Sequence, residues 1–218
     1  MTVSEAIPET VADLLGRLGG IPAERVRWSP IPGTATEQDV IDALEGPEKR
    51  LCELIDGVLV EKAVGSPESF LGGRLFRKVA DHAEENDLGV VLPGDGPLEL
   101  RAGNVRYPDV SFIPWDSFPN RMPPKDEKIW TVTPALAAEV LSASNTPAEM
   151  DRKLEDLFST GCKLVWLIDP VSSTARIYTT PKRFKRIAIT GVLDGGKVLP
   201  GFTLPLAKLL APNEPRNK

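Results

Sequence analysis

The strongest constraint on the fold is a nearly continuous apolar run late in the chain, Lys163–Ile168. It predicts a β-strand that is buried on both faces, because a strand with one solvated face would alternate apolar and polar residues. Asp169-Pro170 ends the strand, since proline has no backbone N–H to continue the ladder. Such a strand belongs inside a sheet that helices cover.

Helices are indicated at four places. The clearest is Pro147–Thr160, where Thr146 and Glu149 form a T-x-x-E capping box ahead of an apolar stripe. The longest predicted helix begins at the Ser-Pro pair Ser66-Pro67, which is typical of a first helical turn. The other predicted helices are Glu9–Leu18, Thr36–Leu44 and Ser66 to about Glu85.

Further strands are predicted where short apolar segments lie between turn residues. Asp56-Gly57 separates Leu51–Ile55 from Val58–Val64, and an Asp-Gly pair between apolar runs indicates a β-hairpin. The remaining predicted strands are Leu88–Leu92, Leu98–Arg101, Val110–Ile113, Ala137–Leu141, Ala175–Tyr178, Arg186–Thr190 and Lys197–Leu199. Helices around a central mixed sheet predict an α/β (α+β) domain.

Composition restricts the class of protein. No apolar segment approaches the ~18 residues of a membrane span, and the first residues lack the basic and apolar regions of a signal peptide. Cys52 and Cys162 lie far apart and match no metal-binding spacing, so we expect reduced thiols in the core of a cytoplasmic protein. A membrane protein, a secreted disulfide scaffold and a zinc finger are thereby excluded.

Basic residues are concentrated near the end of an otherwise acidic chain. From Pro170 to Lys218 there are nine Lys and Arg against two acids, whereas the preceding 169 residues carry 17 basic and 29 acidic groups. This asymmetry indicates an anionic partner such as nucleic acid, with a solvated face as the alternative. The basic run comprises Arg176, Lys182, Arg183, Lys185 and Arg186.

The catalytic options narrow by elimination. The one histidine, His82, follows Leu75 by seven residues on the apolar side of a helix, so we expect a structural role. There is no G-x-S-x-G elbow, no G-x-G-x-x-G fingerprint and no P-loop. Carboxylates and lysines remain, and these are the groups that a Mg²⁺-dependent hydrolase uses.

Three such residues lie at informative positions. Asp109 begins a strand, and Glu139 interrupts an apolar strand, where a carboxylate is costly unless it is paired or bound to metal. Lys153 borders the apolar stripe of the capped helix, so its amine could reach over the sheet. The alternatives are strand-end capping for Asp109, a buried salt bridge for Glu139 and a solvated helix flank for Lys153.

Several separate motifs resemble, in the same order, those of the Uma2 family. That bacterial family is expected to contain endonucleases with the restriction-endonuclease-like, PD-(D/E)xK fold. The resemblance covers roughly Glu48–Leu210. The motifs are Leu51–Lys62 (LCELIDGVLVEK), Tyr107–Ile113 (YPDVSFI), Ala138–Ser142 with Asp151–Lys153, Leu164–Pro170 (LVWLIDP) and the closing Leu199–Pro205 (LPGFTLP).

The resemblance implies a metal-dependent nuclease site. Asp109 would supply the D of the motif and Glu139 its (D/E), and with the Val140 carbonyl they would hold Mg²⁺ (or Mn²⁺). Leu141 occupies the usual lysine position, and Lys153 matches the family's displaced lysine on the following helix. Glu61 would be an accessory acid near the metal.

The resemblance also carries a departure. Related sequences often have a histidine shortly after the Ser-Pro pair, and here Ser69 occupies that region. Whatever that histidine does in its relatives, this chain does without it.

These observations favour a restriction-endonuclease-like domain that hydrolyses DNA phosphodiester bonds as a homodimer. The alternative is a catalytically silent nucleic-acid-binding or interaction module on the same fold. We expect a helical extension at residues 1–47 packed on the core, the nuclease-like domain at 48–211 and a disordered tail at 212–218.

Overall fold

The computed structural model describes residues 9–63 and 65–211. A six-stranded mixed sheet has the strand order β10-β9-β8-β7-β6-β3, in which β7 and β8 are parallel and every other pair is antiparallel. Its strands are β3 (Gly89–Pro93), β6 (Val110–Pro114), β7 (Leu136–Val140), β8 (Leu164–Asp169), β9 (Thr174–Thr180) and β10 (Arg183–Ile187). The central, doubly buried strand that the apolar run predicts is β8.

Helices cover both faces of this sheet. On one face, α3 (Ser66–Glu85) and α5 (Leu206–Leu210) close a core around the fully buried Trp166. On the other face, α4 (Pro147–Ser159) buries Leu154 and Leu157 against β7 and β8. The predicted capping box is formed, because Glu149 N–H donates to Thr146 Oγ1 and the Glu149 carboxylate accepts from the Thr146 N–H. The α/β (α+β) prediction is therefore confirmed.

A second sheet, of order β2-β1-β5-β4, lies beside the first. It comprises β1 (Cys52–Ile55), β2 (Val58–Glu61), β4 (Leu98–Arg101) and β5 (Asn104–Arg106). The predicted hairpin joins β1 to β2, and Asp56 and Gly57 both have positive φ (49° and 73°), as a tight hairpin turn of this kind requires.

Residues 9–47 pack on this second sheet. They contain α1 (Val11–Arg17) and α2 (Glu37–Glu45), and Leu14 and Leu18 contribute to a small core with β1 and β2. Arg25 also forms an ion pair of 2.8 Å with Glu149 of α4, which ties the segment to the main sheet. Residues 1–8 and the predicted tail 212–218 lie outside the described residues.

Three strand predictions need correction. β5 was not anticipated, because its buried Asn104 and Arg106 are polar and give no apolar signal. β10 lies earlier than the predicted Arg186–Thr190, since this exposed edge strand has little hydrophobic pattern. The segment Lys197–Leu199 is a turn, and the closing hairpin is instead β11 (Val192–Asp194) with β12 (Thr203–Pro205).

In the part of the chain that the structure describes, no helix combines the length and apolarity that crossing a bilayer would require.

Candidate active site

Strand pairing brings Asp109 and Glu139 to neighbouring positions. In the antiparallel pair of β6 and β7, Val110 is opposite Ala138 and Ser111 is opposite Ala137, so the same register continued by one residue sets Asp109 opposite Glu139. Directly opposite residues share a face of the sheet, with Cβ atoms ~4.5–5.5 Å apart. The Val140 N–H donates to Asp109 Oδ2 (2.8 Å) and holds this carboxylate beside β7.

Helix α4 brings Lys153 to the same place. The Lys153 Nζ lies 2.7 Å from Glu139 Oε1 and 2.9 Å from Glu53 Oε1 of β1. Its side chain is 7% exposed, because the second sheet covers this flank of α4. The solvated-flank alternative is therefore excluded, and the lysine is more deeply buried than its position at the edge of the apolar stripe predicted.

Burial and neighbouring charges set the electrostatics of these groups. Burial raises the pKa of Glu139 to about 7, with Asp109 adding to the effect and Lys153 opposing it. Burial disfavours the charged form of Lys153, but the Glu139 and Glu53 carboxylates outweigh it and raise the pKa of the amine. Burial also acts to raise the pKa of Glu53, yet Lys153 and Arg106 outweigh it and the net direction is downward. Lys153 and Glu53 are thus charged at neutral pH, whereas neutral pH lies close to the pKa of Glu139.

A buried polar network supports the lysine from behind. Arg106 is 1% exposed and joins Glu53 (2.7 Å between Nη1 and Oε2) to Asp156 of α4. Asn104 donates to the same Asp156 (3.1 Å). Sequence reasoning missed all of these groups, although Glu53 interrupts an apolar strand in the same way as Glu139 does.

A second lysine, Lys62, forms an ion pair with Asp109. The Lys62 Nζ is 2.8 Å from Asp109 Oδ1 and donates to the Gly94 carbonyl (2.9 Å), and its side chain is 8% exposed. Both oxygens of Asp109 therefore have a donor, Lys62 at Oδ1 and the Val140 N–H at Oδ2. Sequence reasoning also missed Lys62, because its position after β2 carries no local sign of a site.

Asp109 opens onto a cleft of about 300 Å³. Ser69, in the region where related sequences often have histidine, lies on its wall, whereas Glu139 is buried and does not line it. The polar groups of the wall are Lys62, Glu68, Ser69, Asp95 and Asp109. Of the candidate site residues, Asp109 and Val140 line the cleft, whereas Glu139 and Lys153 do not.

The structure does not bring Glu61 to this cleft. Its carboxylate lies 2.8 Å from Arg50 Nη1 and 3.7 Å from Arg27 Nη1, on another surface. Successive residues of a strand point to opposite faces, so Lys62 and not Glu61 is directed to Asp109.

Asp109 and Glu139 would offer only two carboxylates to a metal, a number that suits magnesium. Among residues 9–63 and 65–211, no group of three or more His, Cys, Asp or Glu side chains is arranged to hold a metal. Mg²⁺ is usually bound by only one or two carboxylates and keeps several waters. Asp109 is 19% exposed on the cleft side, so these two carboxylates with the Val140 carbonyl fit that pattern.

The basic run lies on the β9–β10 hairpin at the edge of the main sheet. Lys182, Arg183, Lys185 and Arg186 are exposed, and Arg176 pairs across the strands with Arg186. Like charges directly opposite each other are unfavourable unless an anion lies nearby. The hairpin is separated from β7 by β8, so the structure does not join the basic run to the cleft.

His82 and the cysteines take no part in the cleft. His82 Nε2 lies 2.9 Å from the Pro200 carbonyl, and its ring packs edge-on against Phe202, which matches the expected structural role. Cys52 and Cys162 are free and buried, and burial raises the pKa of each thiol to about 11. Both are therefore unreactive core residues, as expected.

Comparisons with known proteins bear on the family and the fold of the chain. The model of the Uma2 family, described as "Putative restriction endonuclease", matches residues 38–207 and so begins before the boundary predicted at residue 48. No protein with a curated description matches the chain significantly. A crystal structure described as a putative nuclease belonging to DUF820, from Anabaena variabilis, is similar with a TM-score of 0.65 and 15% identity. The similarity covers 74% of this chain and 90% of that one, and it shows a shared fold.

Proposed function

The chain belongs to the Uma2 family, and from this premise we propose that it is a divalent-metal-dependent endonuclease that hydrolyses DNA phosphodiester bonds. A nuclease-like role follows from the family, whereas the metal and the DNA substrate are the proposal. The observation that carries it is the ion pair of 2.7 Å between Lys153 and Glu139, together with Asp109, which is opposite Glu139 in the strand register and lines an open cleft. Glu139 of β7 and Lys153 of α4 thus meet next to a second acid, Asp109, which directly precedes β6.

Each group of the site has a distinct role in this proposal. Asp109, Glu139 and the Val140 carbonyl would hold Mg²⁺ or Mn²⁺, which when bound would polarise the phosphate and activate a water molecule. Lys153 is fixed by Glu53 at 2.9 Å, so its ammonium is preorganised to orient that water or to stabilise negative charge on the phosphate. Preorganised charge in a site that excludes most water is a large source of catalysis.

Lys62 has a role that the sequence did not reveal. It lies on Asp109 Oδ1, so that oxygen becomes a metal ligand only when the ammonium leaves. The flexible four-carbon stem allows the ammonium to move into the cleft, where the substrate phosphate would lie. Lys62 would then neutralise Asp109 before metal binding and contact the phosphate afterwards.

One observation favours the alternative, a catalytically silent nucleic-acid-binding or interaction module. The Lys62–Asp109 ion pair neutralises Asp109, the candidate metal ligand that lines the cleft, without any metal. The basic run serves either function, because binding to the phosphate backbone needs only positive charge. The two functions therefore differ in chemistry and not in nucleic-acid affinity.

A cleavage assay separates the two functions. The protein is incubated with supercoiled, linear double-stranded and single-stranded DNA in Mg²⁺, Mn²⁺ or EDTA. We expect metal-dependent cleavage that is lost in Asp109→Ala and kept in Asp116→Ala, a control at an exposed acid just after β6. Equal cleavage by Asp109→Ala and wild type would indicate a contaminant, and no cleavage on any substrate would favour the silent module.

We also propose that the protein acts in the cytoplasm as a homodimer, because cutting both strands of a duplex is served by two copies of one site. Sedimentation velocity of the purified chain tests the dimer, and a monomer at micromolar concentration would contradict it.

A further inference from the structure

A second cavity, of about 440 Å³, lies between α3 and α5 and adjoins the Asp109 cleft. The two share Ser69 and Gly73 in their walls, so a chain lying in one leads into the other. We call this second cavity the α3–α5 groove. It is lined by Ser69, Phe70, Gly73, Arg74, Arg77, Lys78, Leu204, Lys208 and Leu209.

The α3–α5 groove is strongly cationic. Arg77, Lys78 and Lys208 are exposed, and none of the three forms an ion pair with an acid among residues 9–63 and 65–211. The fourth cation, Arg74, donates to the Lys208 carbonyl (2.7 Å) and to that of Ala211, which fixes α5 against α3. The groove thus presents three exposed cations to solvent, on two helices that Arg74 holds together.

The exposed cations of α3, Arg77 and Lys78, lie in the second half of the helix, between the residues that line the Asp109 cleft and its C-terminal end. Beyond Lys78 the exposed residues of the helix become acidic, with Asp81, Glu84 and Glu85. A polyanion attracted by Arg77 and Lys78 would be repelled by the acidic last turns of the same helix. This change of sign disfavours a phosphate backbone that continues toward the C-terminal end of α3.

We propose that the α3–α5 groove binds the phosphate backbone of the DNA substrate and leads the scissile phosphate to Asp109. This inference rests on the proposed nuclease function and assigns the binding surface of that same site. It differs from the prediction made from the basic run, which lies on the β9–β10 hairpin.

Strand register explains why the groove is the better placed surface. Glu139 pairs with Leu167, which pairs with Arg176, so Arg176 is level with the site. The hairpin turn with Lys182 lies six residues further along, which at ~3.3 Å per residue is about 20 Å toward the opposite end of the sheet. Part of the basic run is therefore remote from Asp109, whereas the groove shares residues with its cleft.

Fluorescence anisotropy with a labelled DNA duplex in EDTA tests the proposal without any cleavage. We expect Arg77→Ala/Lys78→Ala to weaken binding at least tenfold and to lower the salt slope by roughly 2, because each phosphate contact contributes ~0.9. Lys208→Ala, on the other wall of the groove, should weaken binding further. The matched hairpin variant Lys182→Ala/Arg183→Ala should have a smaller effect.

Affinity and salt slope that stay at the wild-type values in the groove variants would overturn the proposal. So would a dimer that becomes a monomer in Arg77→Ala/Lys78→Ala while its DNA affinity is unchanged, since the groove would then join two copies of the chain. DNA binding is measured without metal, so the two proposals can fail separately. The groove variants can leave DNA affinity unchanged although the protein cleaves DNA, and cleavage can be absent although the groove variants weaken DNA binding.

Discussion

Replacing Glu139 by glutamine is expected to stabilise the metal-free protein at alkaline pH. The glutamine keeps the shape of the side chain and removes a carboxylate that is 6% exposed. Lys153 retains its second partner, Glu53, at 2.9 Å, so the substitution does not leave a buried ammonium unpaired. A residue proposed to hold metal should therefore be a source of instability when metal is absent.

The magnitude follows from the pKa of Glu139. Burial raises it from an ordinary 4.5 to about 7 in the folded protein, and each pH unit is worth ~1.4 kcal/mol. The folded state binds the proton more tightly than the unfolded chain, so stability falls as pH rises from 4.5 and levels off above 7. The whole effect amounts to about 3 kcal/mol.

Urea unfolding in EDTA at several pH values between 4.5 and 8 measures this effect. The difference in unfolding free energy between Glu139→Gln and wild type should grow by about 3 kcal/mol over that range and flatten above pH 7. Glu155→Gln, a control at an exposed position of α4, should follow the wild-type profile. Parallel profiles for Glu139→Gln and wild type would show that Glu139 is an ordinary carboxyl and would refute the reasoning.

Three further predictions concern the lysines and the basic run. Lys153→Met should lower cleavage by ~10²–10³-fold while metal binding, measured by calorimetry, is kept. It should also cost about 3–5 kcal/mol of stability in urea unfolding, because Glu139 loses its cation, and wild-type cleavage would refute the role of Lys153. Lys62→Met should tighten Mn²⁺ binding about tenfold, since a hydrogen bond to a charged group is worth ~1.5–3 kcal/mol and Asp109 Oδ1 is released; weaker Mn²⁺ binding in calorimetry would contradict this. Neutralising the four exposed cations of the basic run should weaken DNA binding equally across sequences and flatten its salt dependence, whereas an unchanged affinity and slope would leave only a solvated face.

The elements that could be predicted are those whose signals are local. The T-x-x-E box at Thr146 and the Asp56-Gly57 turn each act within four residues, and both are formed where expected. The apolar run of β8 predicts its own burial in the same way. The edge strand β10 and the buried polar strand β5 have no such local signal, so the hydrophobic pattern misplaced one and missed the other.

The site itself depends on contacts between distant parts of the chain. Lys153 meets Glu53 across 100 residues and Lys62 meets Asp109 across 47, and no spacing rule relates such pairs. Asp109, Glu139 and Lys153 were candidates from their positions alone, and the resemblance to a known family implied that they share one site, because its motifs carry that long-range information. It also implied a role for Glu61, which the structure places with Arg50, because a motif does not say to which face of a strand each side chain points.

The charges around the cleft explain why Glu139 and Glu53, two acids in apolar strands, have opposite properties. Glu53 contacts two cations, Lys153 and Arg106, and its pKa is lowered. Glu139 contacts one of these cations and has Asp109 as a neighbour, and its pKa is raised to about 7. Once Lys62 leaves Asp109, four acids face three cations, so a net negative charge remains that would attract a divalent cation. The acids are Glu53, Asp109, Glu139 and Asp156, and the cations are Arg101, Arg106 and Lys153. If the proposed function holds, magnesium binding and the movement of Lys62 should be coupled, and Glu139, not Glu53, would be the buried acid that binds the metal.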